Sequence, residues 1–378
     1  PFLASVNFLA NHIPVQAPDS DIARYSAMYR DGWTALREAR AKRAMTLGIM
    51  PASTALVTMK TTPDWAKLDA EERAAAIRVM QAYGAMATAM DREIGRLVAH
   101  LKATGEYDNT IFVFLSDNGA EPTDPYNRLR NRLFLRMQYD TSTANIGRRG
   151  SFSAVGPGWA SASASPLSGY KFSATEGGLR VPLIIAWPGH AGIRAGAIND
   201  GLAHVTDILP TLLDLSGVPG HGGTWNGRPV ERLAGRSLVP MLAGTEGSVH
   251  GDSPLGYELS GNAALFRGDY KLVRNLAPTG DGKWRLFDLK TDPGESSDLA
   301  ATMPDRFAAM QADYAVFAKE NGVLAMPAGY TADEQINLYA WRQQGQKRAI
   351  QAGVVLGGVV VALALAVWGW RRRKRRRA

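Results

Sequence analysis

The sequence predicts an α/β fold with a mostly parallel central sheet flanked by helices, a small C-terminal antiparallel-sheet subdomain and a C-terminal transmembrane helix. Three observations support this fold class. A long helical pattern is followed at once by a β-branched and aromatic run, TIFVFL, which is typical of a strand buried on both faces. Segments of alternating polarity over 255–300 indicate antiparallel strands. An uncharged stretch at 352–370 indicates a membrane span.

These patterns divide the 378 residues into five parts. Pro1 to Ala10 already has the composition of a buried strand, and no initiator Met precedes it, so we expect the N-terminal part of the α/β domain to be missing. The predicted parts are the rest of that domain (1–250), the antiparallel sheet with its packed helix (251–325), a juxtamembrane linker (326–351), the transmembrane helix (352–370) and a basic tail (371–378).

The first α/β unit ends in a polar loop. Its helical pattern runs from Leu68 to Lys102, where apolar residues recur at three- and four-residue steps, and Gly105 ends it. The predicted strand Thr110 to Leu115 then leads directly into Ser116-Asp117-Asn118-Gly119, which we call the SDNG loop. Because ligands of α/β folds gather where strands end, this loop is a candidate site. A second strand is predicted at Val181 to Trp187.

The C-terminal stretch 352–370 predicts a membrane anchor. A helix of its nineteen residues would be roughly 28 Å long, close to the thickness of the hydrocarbon layer. The RRRKRRR run at 371–377 follows, so the positive-inside rule places the tail in the cytoplasm and the catalytic domain on the periplasmic, extracytoplasmic side. A buried core helix and a cleaved sorting signal are the alternatives.

The charge distribution argues against a nucleic-acid partner. The chain has 43 Lys and Arg against 35 Asp and Glu, but seven of the basic residues lie in 371–377, so the rest carries 36 against 35. A nucleic-acid binder needs its basic surface on the folded body. The absence of cysteine excludes disulfides, cysteine-ligated zinc and a thiol nucleophile within this sequence.

Four residues are candidates for chemistry, and each has a plainer explanation. Asp117 and Asn118 offer adjacent oxygens to a hard cation, although SDNG is also a good turn sequence. His12 follows the predicted first strand and could contact an anion or act as an acid, or be structural. Lys171 could meet an anionic substrate or be solvated surface.

Five segments in order give these residues a common context. They are PFLASVNFLANHIPVQAP, GEYDNTIFVFLSDNGAE, GYKFSATEGGLRVPLIIAWPG, HVTDILPTLLDLSGV and LFDLKTDPGESSDLA. Through them the chain resembles the type I sulfatase (arylsulfatase) family of the alkaline-phosphatase-like superfamily, from Pro1 to about Asn321. The SDNG and EGGLR segments are the most specific.

The resemblance implies a function and a role for each candidate. Asp117 and Asn118 match metal ligands that usually bind calcium, with magnesium as the other choice, and His12 and Lys171 match the catalytic pair that contacts the sulfate and the leaving-group oxygen. In the family a formylglycine made from Cys or Ser supplies the nucleophile. The implied reaction is the hydrolysis of a small-molecule sulfate ester by a membrane-anchored enzyme.

One departure from the family pattern leaves alternatives open. The nucleophile segment, Cys or Ser followed by x-Pro-x-Arg, is not in this sequence, and neither are the paired aspartates expected near the start of the domain. We therefore expect formylglycine in the missing N-terminal part and expect this half to be inactive alone. The alternatives are a phosphoryl or phosphonate ester hydrolase of the same superfamily and a non-catalytic membrane-anchored pseudoenzyme.

Several other residues in these segments have structural explanations. Glu176, Arg180, His204 and Asp207 are explained by capping, loop-holding and packing. The LFDLKTDP segment marks the C-terminal subdomain and is assigned no chemistry. His250 matches no functional position and is expected on the surface.

Overall fold

The computed structural model describes residues 2–340, 342 and 346–375. The chain forms two compact units, Pro1–Val323 and Leu324–Ala378. The helices are α1 (Asp19–Ala23), α2 (Gly32–Thr46), α3 (Ala70–Ala103), α4 (Leu129–Gln138), α5 (Gly156–Ser163), α6 (Glu176–Leu179), α7 (Ile208–Leu215), α8 (Val239–Ala243), α9 (Pro304–Glu320), α10 (Ala332–Ala340) and α11 (Gln346–Arg375). The strands are β1 (Phe112–Leu115), β2 (Leu183–Ala186), β3 (Thr224–Trp225), β4 (Arg228–Pro229), β5 (Leu255–Leu259), β6 (Asn262–Arg267), β7 (Tyr270–Arg274) and β8 (Arg285–Asp288).

Helix α3 confirms the predicted helix to within two residues at each end. It begins with a capping box, in which the Asp69 carboxylate accepts a hydrogen bond from the Glu72 N–H at 2.8 Å and the Glu72 carboxylate accepts one from the Asp69 N–H at 3.0 Å. Its apolar face packs against the edge-to-face rings of Trp33 and Trp159, whose centroids are 5.5 Å apart. This is the main core of the first unit.

The sheet that carries the SDNG loop differs from the prediction. Strands β1 and β2 pair antiparallel, with Phe114 opposite Ile184, so the described residues contain no parallel central sheet. One face of the pair is open, because Phe114 is 39% and Ile184 58% exposed. A continuous apolar run indicates that both faces of a strand can be buried. It specifies neither the direction of the neighbouring strand nor which segments pack on the two faces.

The predicted strand at the start of the chain is also absent from the described residues. Residues 2–9 contain no strand and are exposed. An apolar segment becomes a strand only where a neighbour satisfies its backbone N–H and C=O groups, and no described segment pairs with this one.

The C-terminal part of the first unit confirms the predicted antiparallel sheet. Strands β5 to β8 pair in sequence order, each antiparallel to the next. Helix α9 packs on the sheet, and the core between them includes Leu265, Leu272, Leu286 and Met310, all fully buried. Two-residue connections such as Ser260-Gly261, both at positive φ, hold these strands in register.

The second unit contradicts the predicted membrane anchor. Among the described residues, no helix has both the length and the apolar character needed to cross a bilayer. The stretch 352–370 lies inside α11, which starts at Gln346 next to Lys347 and Arg348 and ends among arginines. The predicted transmembrane helix and the predicted extracytoplasmic localisation with a cytoplasmic tail were therefore wrong. An uncharged run of residues does not by itself establish a membrane span. Parts of the predicted linker (341, 343–345) and tail (376–378) lie outside the described residues.

Candidate functional site

The SDNG loop packs directly against the EGGL turn of α6. The Gly119 N–H donates to the Gly178 carbonyl at 3.0 Å, and a Cβ on Gly119 would overlap the carbonyl oxygen of Gly177. Only glycine permits this approach of two backbones. The contact places Asp117, which is exposed, and Asn118, which is half-buried, beside the segment that leads from Lys171 to α6.

Lys171 is fixed next to the same loop by its backbone and its side chain. Its N–H donates to the Ala120 carbonyl at 3.0 Å. Its Nζ lies 2.8 Å from Oε2 of Glu121, a pair in which the lysine side chain is 18% and the glutamate 8% exposed. The ammonium is therefore held in a fixed position, and part of the lysine side chain remains accessible to a ligand.

His12 reaches this ammonium from the other end of the chain. Its Nε2 lies 3.4 Å from Lys171 Nζ and 4.0 Å from Glu121 Oε2, and its side chain is 47% exposed. Its Nδ1 lies 2.9 Å from the Ile13 carbonyl oxygen. Since a carbonyl only accepts, Nδ1 carries a proton and Nε2 is the nitrogen that faces the cluster.

Glu121 was not among the predicted site residues. Burial raises its pKa, but hydrogen bonds from Lys171 and Thr123 and the charge of the ammonium outweigh burial, so the pKa is lowered and the carboxylate stays ionised. The signal in the sequence is its place two residues after Gly119, in SDNGAE, where an acidic side chain can neutralise a lysine brought in by the fold.

Asp117 and Asn118, the predicted metal ligands, have suitable chemistry but are too few to form a complete site. A calcium ion takes six to eight oxygen ligands, and a carboxylate with an amide supplies only part of such a shell. Among the described residues there is no group of three or more His, Asp and Glu that could hold a metal ion. The described residues therefore fit one side of a hard-cation site and do not complete it.

The segment 168–176, which we call the Lys171 loop, is fastened to the C-terminal sheet by buried charges. Lys271 on β7 is fully buried, and its Nζ lies 2.8 Å from Glu176 Oε1 and 2.9 Å from Glu295 Oε1. Oε2 of Glu295 accepts hydrogen bonds from Ser168 Oγ at 2.7 Å and from the Glu176 N–H at 2.8 Å. One carboxylate thus ties both ends of the loop to one lysine.

Two amides of the same sheet region hold the middle of the loop. Asn262 Nδ2 donates to the Phe172 carbonyl at 2.8 Å, and the Ala174 N–H donates to Asn275 Oδ1 at 2.6 Å. Phe172 has φ 73°, a left-handed conformation that needs such support in a non-glycine residue. The subdomain that the sequence marked only as a fold feature therefore positions Lys171.

Asp207 and His250 form a second buried pair. His250 Nε2 lies 2.8 Å from Asp207 Oδ2, and the two side chains are 5% and 0% exposed. The expected surface location of His250 was therefore wrong, because a histidine that no motif explains can still be required by a buried carboxylate. The other Asp207 oxygen accepts from the Arg236 N–H at 2.8 Å, which ties α7 to the segment before α8.

Comparison with known proteins shows which family this chain matches. The Sulfatase family model matches residues 1–218. An uncharacterized sulfatase of Schizosaccharomyces pombe is 35% identical over 343 residues, covering 89% of this chain and 61% of the relative. An arylsulfatase of Klebsiella aerogenes is 35% identical over 243 residues, covering 64% of this chain and 50% of the relative.

The fold has a counterpart among solved structures. The crystal structure of Ps i-CgsB aligns with a TM-score of 0.51 at 21% identity, covering 91% of this chain and 54% of that one. The chain thus spans between half and about three fifths of the proteins it matches. On the family match, with which the two 35% relatives agree, this chain is a member of the sulfatase family.

Proposed function

We propose that this chain supplies the substrate-contacting and part of the metal-binding residues of an arylsulfatase-like sulfuric ester hydrolase. The main observation behind the proposal is that His12 and Lys171 lie close together beside the SDNG loop. They are 159 positions apart in the chain, and the distance from His12 Nε2 to Lys171 Nζ is 3.4 Å. The two relatives, a sulfatase and an arylsulfatase, support the same reaction class.

Lys171 and His12 would bind the sulfate group together. Two nitrogen donors 3.4 Å apart can both donate to oxygens of one tetrahedral anion. The transition state of sulfate ester hydrolysis spreads negative charge over those oxygens, so cations fixed beforehand stabilise it more than mobile ones. Glu121 has the role of holding the ammonium, because its carboxylate occupies one N–H and leaves the others for the ligand.

His12 would also protonate the leaving group, acting as an imidazolium that carries a proton on each ring nitrogen. Its Nδ1–H is occupied by the Ile13 carbonyl, so the proton on Nε2 would go to the departing alcohol or phenol oxygen, and the ring would be left neutral. The fixed ring orientation removes the need to reorganise during that step.

Asp117 and Asn118 would bind a calcium-type cation, or magnesium, with further ligands from outside the described residues. Such an ion would add positive charge next to the sulfate oxygens. A formylglycine nucleophile would come from outside this sequence, which has no Cys or Ser followed by x-Pro-x-Arg. The substrate class is a small-molecule sulfate ester.

The first prediction tests the anion contacts in the full-length protein. Lys171→Ala is expected to lower kcat/KM for an aryl sulfate by about 100-fold or more, because a fixed cation next to the developing charge is lost. Lys42→Ala, which removes an exposed lysine from α2, is the matched control and should leave hydrolysis unchanged. Near-normal turnover by a folded Lys171→Ala variant would contradict the assignment.

The same assays separate the reaction classes. Aryl phosphate and phosphonate monoesters are offered beside the aryl sulfate, and the bound metal is measured. Preference for the sulfate and a single hard cation supports the proposal. Preference for the phosphorus esters with two zinc ions would favour the alternative hydrolase, and no hydrolysis of any ester by the full-length protein would favour a pseudoenzyme.

A further inference from the structure

A groove of about 890 Å³ lies on the outer face of α3, among residues that take no part in the candidate site. Four residues at helical spacing on α3 form one wall, and the segment before α2 and the turn around 143–148 form the rest. The lining residues are Arg30, Ala74, Ile77, Arg78, Gln81, Thr143, Ala144 and Arg148, which we call the arginine groove.

The arginine groove carries more positive charge than its surroundings neutralise. Three of its lining residues are arginines and none is acidic. Asp19 lies beside it, with Oδ1 2.8 Å from Arg148 Nε and 3.7 Å from Arg78 Nη2. Among the ion pairs of the described residues, the one carboxylate in contact with these guanidinium groups is Asp19, which pairs with Arg148 and Arg78, although the body of the protein is nearly neutral.

The guanidinium groups are held in place by the backbone. Arg78 Nε donates to the Ile146 carbonyl at 3.1 Å, Arg148 Nη1 donates to the Ala144 carbonyl at 3.2 Å, and Arg30 Nη2 lies 3.4 Å from the Ser26 carbonyl oxygen. These contacts use one or two donors of each five-donor group. The remaining N–H groups are available at fixed positions, as recognition of an oxyanion requires.

The arrangement has an energetic cost that a bound anion would remove. Burial lowers the pKa of Arg78, and the charge of Arg148 lowers it further, against the opposing effect of Asp19. The Arg78 side chain is only 24% exposed, so water screens this repulsion incompletely.

We propose that the arginine groove binds a ligand bearing at least two oxyanion groups, such as sulfates, phosphates or carboxylates on one carbon framework. Three guanidinium groups can donate to more than one anionic group, and the volume greatly exceeds that of one phosphate or sulfate ion. Ala74 and Ile77 provide apolar surface for the framework between the charges. The proposal does not depend on the sulfatase activity, because it concerns binding at a different place.

The test is a calorimetric titration of the full-length protein with a heparin-derived tetrasaccharide, a triphosphate and inorganic sulfate. Arg30→Glu is the informative variant, since Arg30 is exposed and is not paired with Asp19. Arg43→Glu changes the net charge equally at an exposed position of α2 and is the matched control. Arg30→Glu should weaken binding of the preferred polyanion at least about tenfold, and Arg43→Glu should leave it unchanged.

Several outcomes would overturn the proposal. They are no binding of either polyanion, equal weakening by Arg30→Glu and Arg43→Glu, or inorganic sulfate binding as tightly as the polyanions. Loss of binding in Lys171→Ala would place the ligand at the candidate site instead and would also refute it. If Lys171→Ala keeps full polyanion affinity while hydrolysis is lost or was never present, the arginine groove stands regardless of the proposed function. Which of the two polyanions binds more tightly identifies the source of the oxyanions.

Discussion

Lys171 and Lys271 form the same kind of ion pair in opposite surroundings. Each ammonium lies 2.8 Å from a glutamate oxygen, Glu121 for the first and Glu176 for the second. The side chain of Lys171 is 18% exposed and touches an accessible histidine, whereas Lys271 is fully buried and contacts a second glutamate, Glu295. Burial therefore decides whether such a pair can still receive a ligand.

The difference also shows how one pair depends on the other. The ammonium of Lys271 is fully buried between two glutamates, and one of them, Glu295, accepts hydrogen bonds from both ends of the Lys171 loop. A buried cluster of this kind gives little net stability but penalises any arrangement that breaks it. It is suited to fixing the position of a segment whose own lysine remains partly accessible.

The largest effect is expected from opening the closed cluster. Lys271→Met removes the ammonium that two buried carboxylates share, and only Glu176 keeps another cation nearby, Arg180 at 4.0 Å, so the change should lower the free energy of unfolding by about 3–5 kcal/mol. Lys171→Met is the matched control and should cost at most about 2 kcal/mol, because it leaves one carboxylate without its ammonium rather than two, and Glu121 keeps the hydrogen bonds from Thr123. Urea denaturation of both variants measures the difference, and equal losses would show that the distinction between the pairs is wrong.

A smaller effect is expected from loosening the connection between the pairs. Asn262→Ala removes the hydrogen bond to the Phe172 carbonyl and should lower kcat/KM for an aryl sulfate about tenfold, since Lys171 would be less well placed. In a Lys171→Ala background the same change should have almost no further effect. Additive losses in the double variant would mean that Asn262 does not act through Lys171.

The smallest effect concerns pH. The lowered pKa of Glu121 means that the unfolded chain binds more protons, so its contribution to stability is present above pH 4.5 and is lost on acidification. Burial and the charge of Glu176 raise the pKa of Glu295 despite Lys271, so its contribution is lost as the pH rises through and above 4.5.

Unfolding of Glu121→Gln and Glu295→Gln between pH 3.5 and 7 measures these two contributions. Relative to the unmodified protein, Glu121→Gln should lose less stability on acidification, and Glu295→Gln should lose less as the pH rises. The two pH-dependent differences should have opposite signs. The same sign in both variants would contradict the opposite pKa shifts of Glu121 and Glu295.

Features determined by local sequence were predictable. The apolar spacing and the Asp69–Glu72 pair specify α3 without help from other segments. Alternation and glycine turns specify the β5 to β8 sheet for the same reason. The proximity of His12 and Lys171 followed only from the resemblance to a family, because no local pattern links residues 159 positions apart.

The predictions that failed, and the site residues that were missed, depend mostly on partners distant in the chain. The direction of β1 against β2 is set by how the segments return, which TIFVFL does not encode. Glu121 and Glu295 are ordinary acidic residues in the sequence and acquire roles only when a lysine from another element meets them. The stretch 352–370 was interpreted from its lack of charge, and the helix that contains it is longer and charged at both ends.

The glycine contact between the SDNG loop and α6 has a thermodynamic consequence. Gly119 and Gly177 touch without intervening side chains, so the backbone that bears Asp117 and the backbone that leads to Lys171 cannot shift independently. In the proposed site, occupancy by the cation would then change the affinity for the anion, and the anion would change that for the cation by the same factor.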